Sequence, residues 1–296
     1  MVGSKDIWIP SEKDEPSADI LRYMILLVYY PKYLGVLAVY VKALIDKCSI
    51  VRLVVVVNNP DISVDALRDH FGFVGDGLDV VFHDNVGAEF GGYQLGLDVL
   101  RPKLDVRSAV LICNDTFCMH RYFSSEQLHE LVKAIEARVP TARVIGNVQQ
   151  LAVRNGVFGI GATRFVNSSI FALNWQAMSA LEFRIYCPEL NSLVVASPDP
   201  DLFFSPEISL SFRNQMRRWL FSSNGGWYGA ADLSEKNCRQ LAAKARAILQ
   251  EAYISMRLDA AYVEFVDISP KTKWGKLMRR IKYMFFTRIV RLPYKT

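Results

Sequence analysis

The chain has 296 residues, 51% of them hydrophobic and 22% charged, with a formal net charge of +5. These are globular values that exclude an intrinsically disordered chain, and the length suits one α/β domain with an appendage. The positive balance sits at one end: nine Lys and Arg follow Asp267 with no acidic residue, whereas residues 1–270 carry 26 basic against 30 acidic side chains, so a nucleic-acid-binding core is not indicated.

Residues 1–20 form a polar, acid-rich segment with no basic region ahead of an apolar one, so no secretory signal is read there. Tyr23 to Val41 approaches membrane-spanning length, but Pro31 and Lys32 divide it into a strand-length and a helix-length piece. Tyr23–Tyr30 is a continuous apolar run that suits a strand buried on both faces, and Lys32–Lys47 has helical spacing. Val51–Val57 (VRLVVVV) is a second buried strand, ended by Asn58, Asn59, Pro60 and Asp61. Strand, helix and strand make a βαβ unit.

A short helix is expected from Asp61 to His70, a third strand over Leu78–His83, a helix over Gly91–Leu100 and a fourth strand over Ser108–Cys113. Ser124–Arg138 is a helix with Ser124 and Ser125 as available N-caps. Further on, strands are expected over Arg143–Ile145, Phe165–Leu173 and Leu193–Ala196, with helices over Trp175–Tyr186, Pro206–Leu220 and Asp232–Leu258. Pro206 followed by Glu207 reads as a helix start. The fold class is therefore α/β, a mostly parallel sheet flanked by helices with a C-terminal helical extension.

Five cysteines at scattered spacing argue for reduced thiols rather than a disulfide framework, and Cys113 and Cys118 lack the spacing of a structural zinc site. The four histidines are also scattered, and His120 with Arg121 is the pair best placed to reach a phosphate.

The chemistry concentrates between Asp84 and Thr116. Gly87, Gly91 and Gly92 surround Glu89 just after the third strand, so backbone there has room to approach a ligand. The fourth strand ends in Asn114, Asp115 and Thr116, small polar residues able to hold a hard cation or to cap the next turn. An open parallel sheet keeps its ligand beyond the carboxyl ends of its strands.

The order strand, NNPD turn, strand, DNVGAEFGGYQLGL, strand, NDT resembles the nucleotide-binding half of GT-A fold glycosyltransferases. It resembles in particular the large inverting family of bacterial polysaccharide biosynthesis, and the pairing of GGYQLGL with NDT also resembles its rhamnan-synthesis relatives. The resemblance implies that Asn58, Asn59 and Asp61 lie near the nucleotide base, and that Asn85, Gly87, Gly91 and Gly92 lie over the sugar nucleotide. Glu89, Asn114 and Thr116 complete the implied donor site. The family's DxD position, which holds Mg2+ or Mn2+ on the diphosphate, reads NDT here, so Asp115 is the single implied metal ligand and the ion would be weakly held. PEISLSFR, from Pro206 to Arg213, is similar to the family's E-D-x-x-L-x-x-R helix start, which implies Glu207 as catalytic base; the alternative is an ordinary helix-terminal Glu.

Asp199 and Asp201, in SPDPDLFF, are reserve candidates for base or acceptor binding, and Asn224 to Tyr228 includes Trp227 in a Gly-aromatic loop able to cover a sugar. Tyr93 is available for base stacking or core packing. Residues 21–265 would form the glycosyltransferase domain, with a nucleotide-sugar half over 21–120, an acceptor half over 140–230 and the long helix over 232–258. The tail, 266–296, spaces Trp274, Leu277, Met278, Ile281, Met284, Phe285 and Ile289 helically among basic residues, the pattern of a helix lying on anionic lipid. Docking on the protein's own body or on a partner enzyme is the alternative. The expectation is an inverting glycosyltransferase using a nucleoside-diphosphate sugar and a saccharide or lipid-linked acceptor, cytoplasmic and peripheral at the inner membrane face. The alternative from another class is a non-catalytic GT-A-like module of a biosynthetic complex. A nucleotidyltransferase is disfavoured, because no Gly-rich loop with Lys or Arg follows the first strand.

Overall fold

The computed structural model describes residues 20–119, 123–137, 139–222, 227 and 229–270. Most of the N-terminal segment, His120, Arg121, the loop residues Asn224, Gly225, Gly226 and Tyr228, and the basic tail from Lys271 lie outside the described residues.

The first half follows the βαβ pattern. Strand β1 (Leu21–Val28) ends before Pro31, a short 3-10 turn leads into α1 (Leu34–Cys48), and Ser49, with φ 49°, closes that helix in the left-handed region. Strand β2 (Ile50–Val57) is followed by α2 (Val64–Phe71), whose N-cap Ser63 accepts from the Ala66 N–H. Then come β3 (Leu78–Phe82), α3 (Ala88–Leu100), β4 (Ser108–Asn114) and α4 (Ser125–Glu136), the last begun by a capping box between Ser124 and Gln127. No helix among the described residues is long and apolar enough to cross a membrane. The Tyr23–Val41 stretch is divided between β1 and α1, as Pro31 requires.

The second half departs from expectation in ways that shape the site. Strands β5 (Arg143–Val157) and β6 (Ile160–Asn174) form a long antiparallel ribbon, where only its apolar core was legible in the sequence. Helix α5 (Trp175–Ala180) is shorter than expected, because Glu182 and Phe183 take positive φ and cannot continue it. Pro206 and Glu207 do not begin α6 (Leu210–Leu220). Buried Ile208 is held in a β-bridge to Val157, so Ser209 becomes the N-cap and accepts from Phe212 N–H. Helix α7 (Cys238–Ala260) starts late, because Asn237 first closes a turn on Asp232 and Ser234. The expected strand at Leu193–Ala196 is reduced to a bridge between Val194 and Phe204, and a short strand β7 (Glu264–Asp267) was not foreseen.

The seven strands form one sheet in the order β3-β2-β1-β4-β6-β5-β7. Strands β1 to β4 are parallel, β6 is antiparallel to both β4 and β5, and β7 pairs parallel with β5. The expected α/β class, a mostly parallel sheet flanked by helices, is the observed one. Alternating side chains of β1 feed two cores: Met24, Leu26 and Val28 pack with α1, α2 and α4, while Tyr23, Ile25 and Leu27 pack with α3, α5 and the end of α7. Full burial of each such aliphatic side chain stabilises by about 1.5–3 kcal/mol. A third cluster lies between the outer part of the ribbon, α6 and α7. All five cysteines are buried free thiols.

Candidate functional site

A cavity of about 730 Å³ opens beyond the carboxyl ends of β1 and β4 and runs along the ribbon toward α6 and α7. Tyr30, Asn114 and Thr116 reach it from the strand ends, Glu89 from the first turn of α3, and Gln149, Asn155 and Asn167–Ser169 from the ribbon. The ribbon supplies polar groups because its register shifts between Gly146 and Val148, which frees Asn167 to Ser169 from the ladder. The two helices contribute by periodicity. Phe212, Gln215, Met216 and Trp219 form one face of α6, and Lys244, Ala247, Ile248 and Glu251 one face of α7, each spaced i, i+3, i+4, i+7.

Two carboxylates meet around Ser168. Its hydroxyl donates to Glu89 Oε1 at 3.2 Å, and its backbone N–H donates to Glu251 Oε1 at 2.7 Å. Asn114 Nδ2 donates to the other oxygen of Glu89 at 3.0 Å, and Asn167 Nδ2 donates to Glu251 at 3.2 Å. The Ser168 carbonyl is itself fixed by Tyr93 Oη at 2.9 Å. Desolvation, and then the negative charge of Glu251, push the Glu89 carboxyl above its usual range, while Lys244, Ser168 and Asn114 oppose the shift. Lys244 Nζ lies 5.9 Å from the ring centroids of both Trp219 and Trp227.

Of the residues singled out in the sequence, Glu89, Asn114, Thr116 and Trp227 line this cavity. Asp115 does not. Its side chain is 2% exposed and its Oδ2 accepts the backbone N–H groups of Tyr29 at 2.8 Å and Tyr30 at 2.7 Å, tying β4 to the end of β1. Burial raises its pKa to about 6 against these amides, which favour the charge. The single implied metal ligand thus lies outside the cavity lining with its Oδ2 bonded to backbone, and no group of three His, Cys, Asp or Glu among the described residues is arranged to hold a metal ion.

Asn58 is buried and bonds Asn85 Oδ1, the Ala88 carbonyl and His83 Nδ1, so it supports the loop before α3 from beneath. Asn59 Nδ2 donates to the Tyr29 carbonyl, and its Oδ1 accepts Asp61 N–H in a turn that leaves Asp61 exposed. The glycines admit the protein's own atoms. A Cβ on Gly91 would meet the Val86 carbonyl oxygen at 1.9 Å, on Gly92 the Leu27 side chain at 2.3 Å, and on Gly87, at φ 76°, the Tyr186 ring at 2.5 Å. Tyr93 is a fully buried core residue.

Glu207 is exposed ahead of α6, outside the cavity lining; its carbonyl accepts Phe158 N–H. Asp199 accepts the Asp201 N–H, and Asp201 pairs with Arg217 at 3.2 Å, also away from the cavity. Sequence reasoning missed Glu251, Lys244, Trp219, Gln215 and the Asn167–Ser169 segment. For Lys244 and Glu251 a signal existed: opposite charges two turns apart on a helix face otherwise made of Ala and Ile.

No family model matches the chain, and no curated protein matches it. Solved structures with a related fold include a mannosyltransferase from Pyrobaculum calidifontis in complex with GDP-Man and Mn2+, at 12% identity and TM-score 0.41 over 93% of this chain and 85% of that one. A mannose-1-phosphate geranyltransferase from Thermus thermophilus shares 12% identity, TM-score 0.34, over 55% of this chain and 60% of that one. A galactosyltransferase, LgtC, in complex with donor and acceptor sugar analogues shares 13% identity, TM-score 0.35, over 57% and 62%. This chain thus spans less than two thirds of the latter two. Likenesses this distant leave the function to the chain's own residues.

Proposed function

We propose that the protein transfers a sugar from a nucleoside-diphosphate donor to a saccharide or lipid-linked acceptor, within a GT-A type architecture and with inversion at the anomeric carbon. The observation that carries this reading is the cavity at the ends of β1 and β4, where two carboxylates, an ammonium and two indoles converge with amide side chains. Indole faces stack on sugar rings, and carboxylates and amides bond their hydroxyls. In direct displacement the acceptor oxygen attacks the anomeric carbon as the bond to the diphosphate breaks. The diphosphate leaves with that electron pair, and the hydroxyl proton passes to a carboxylate. Glu251, which lines the cavity from α7, takes the proton-accepting role in this reading.

The basic and apolar alternation over 271–295 supports an acceptor presented at an anionic membrane surface in cell-surface polysaccharide assembly. The test is release of nucleoside diphosphate from uridine, guanosine, thymidine and cytidine diphosphate sugars mixed with saccharide acceptors. Release from one of them is expected, with a loss of ~10² to 10⁴ in Glu251→Gln. A second reading, a module that binds sugar nucleotides without transfer, is favoured by the inward position of Asp115. Binding without release in that assay would select it.

A further inference from the structure

We infer that the cavity neutralises the donor's diphosphate with the Lys244 ammonium, so that nucleotide binding needs no divalent cation. This rests on the reading of the cavity as a nucleotide-sugar site. Divalent cations favour carboxylate oxygens as ligands, and the end of β4 offers the cavity none, because Asp115 lies outside its lining. Asp115 accepts two backbone N–H groups and is buried. Asn114 Oδ1 accepts both the backbone N–H of Thr116 at 3.1 Å and its hydroxyl at 2.6 Å, while Asn114 Nδ2 donates to Glu89.

The remaining carboxylates of the cavity, Glu89 and Glu251, come with a cation of their own. Lys244 shares the α7 face with Glu251 two turns away and is near enough to Glu89 to stabilise its charge. Its ammonium lies 5.9 Å from the centroid of each of two indole rings. A divalent ion brought to the carboxylate pair would face this positive charge in a space screened less than bulk water. A diphosphate would be attracted to it, and Arg218 lines the same cavity as a further cation.

The experiment is calorimetric titration of the full chain with UDP, GDP, TDP and CDP, each in EDTA and in Mn2+. One nucleotide is expected to bind with the same affinity in both. Lys244→Met should weaken that binding about 10-fold or more, and Lys244→Arg should restore most of it. Circular dichroism of both variants should match wild type, and if Lys244→Met does not fold, the comparison of wild type in EDTA and Mn2+ decides alone. Binding seen only with Mn2+ would overturn the inference while leaving the proposed function standing. Equal binding by wild type and Lys244→Met would remove Lys244 from the site. No binding of any nucleotide in either condition would remove the nucleotide-sugar reading and this inference with it.

Discussion

Glu89 and Glu251, on helices far apart in sequence, are held by one residue: Ser168 donates its hydroxyl to the first and its backbone N–H to the second, at 3.2 and 2.7 Å. The charge of Glu251 is one of the causes that raise the Glu89 pKa, after burial. Replacing Glu251 with Gln removes the charge that helps raise the Glu89 pKa, so the Glu89 carboxyl should fall toward its ordinary range. The acidic-side limb of the pH–rate profile of any remaining transfer activity should move to lower pH in this variant. A profile identical to wild type would take Glu251 out of the chemistry.

Asp115 behaves in this account as a structural anchor. Asp115→Ala leaves two N–H groups of the β1 end without their acceptor, at about 1–3 kcal/mol for each buried donor left unpaired. Urea unfolding should show that loss, and Asp115→Asn should lose less, since its amide oxygen still accepts.

The pH dependence of Asp115 has a defined sign. The folded carboxyl, at about 6, holds its proton more tightly than the unfolded one, near 3.8. Its contribution to stability is therefore full below pH 4 and lost as pH rises to 6, by about 3 kcal/mol at most. The stability of Asp115→Asn relative to wild type should improve across pH 4 to 6 and level off above 7. A difference that stays flat across that range would show an unperturbed carboxyl.

Gly91→Ala should destabilise the chain by about 1–3 kcal/mol, the cost of overpacking. The added Cβ would lie 1.9 Å from the Val86 backbone oxygen, so the loop from Asp84 to Ala88 must shift and carry Glu89 with it. A melting temperature equal to wild type would mean that the loop yields freely.

The buried thiols should be inert in the native state. Burial pushes Cys48 to about 11 and Cys118 to about 12, and the thiolate is the reactive form. Labelling at pH 8 with a thiol-reactive dye should be slow when folded and complete in denaturant. The sign of the linkage is destabilising at high pH, because the unfolded thiols ionise first.

Much of the fold was legible because the first four strands carry continuous apolar runs and the turns between them carry Pro, Gly and Ser at capping positions. The cavity at the strand ends lies where the same pattern placed a site, and Glu89, Asn114 and Thr116 face it. Tertiary context decided the rest. Neither Asp115 nor Asn114 announces in sequence which way its side chain turns; the backbone N–H groups of Tyr29 and Tyr30 settle that for Asp115. The Pro206–Glu207 start signal lost to burial of Ile208 in a bridge. The ribbon's outer half carries no apolar strand signal because Gln149 and Asn155 face a cavity rather than a core and Gln150 is exposed. Glu251 and Lys244 look like ordinary helix charges until β6 is brought beneath them.

The most direct test of where the chemistry lies is a crystal structure of the full chain with the nucleoside diphosphate that binds best. The diphosphate is expected beside Lys244, with the space toward Glu89, Glu251 and Trp219 left for the sugar. A nucleotide bound elsewhere, or a diphosphate held by Asp115 after the β4 end has rearranged, would contradict it.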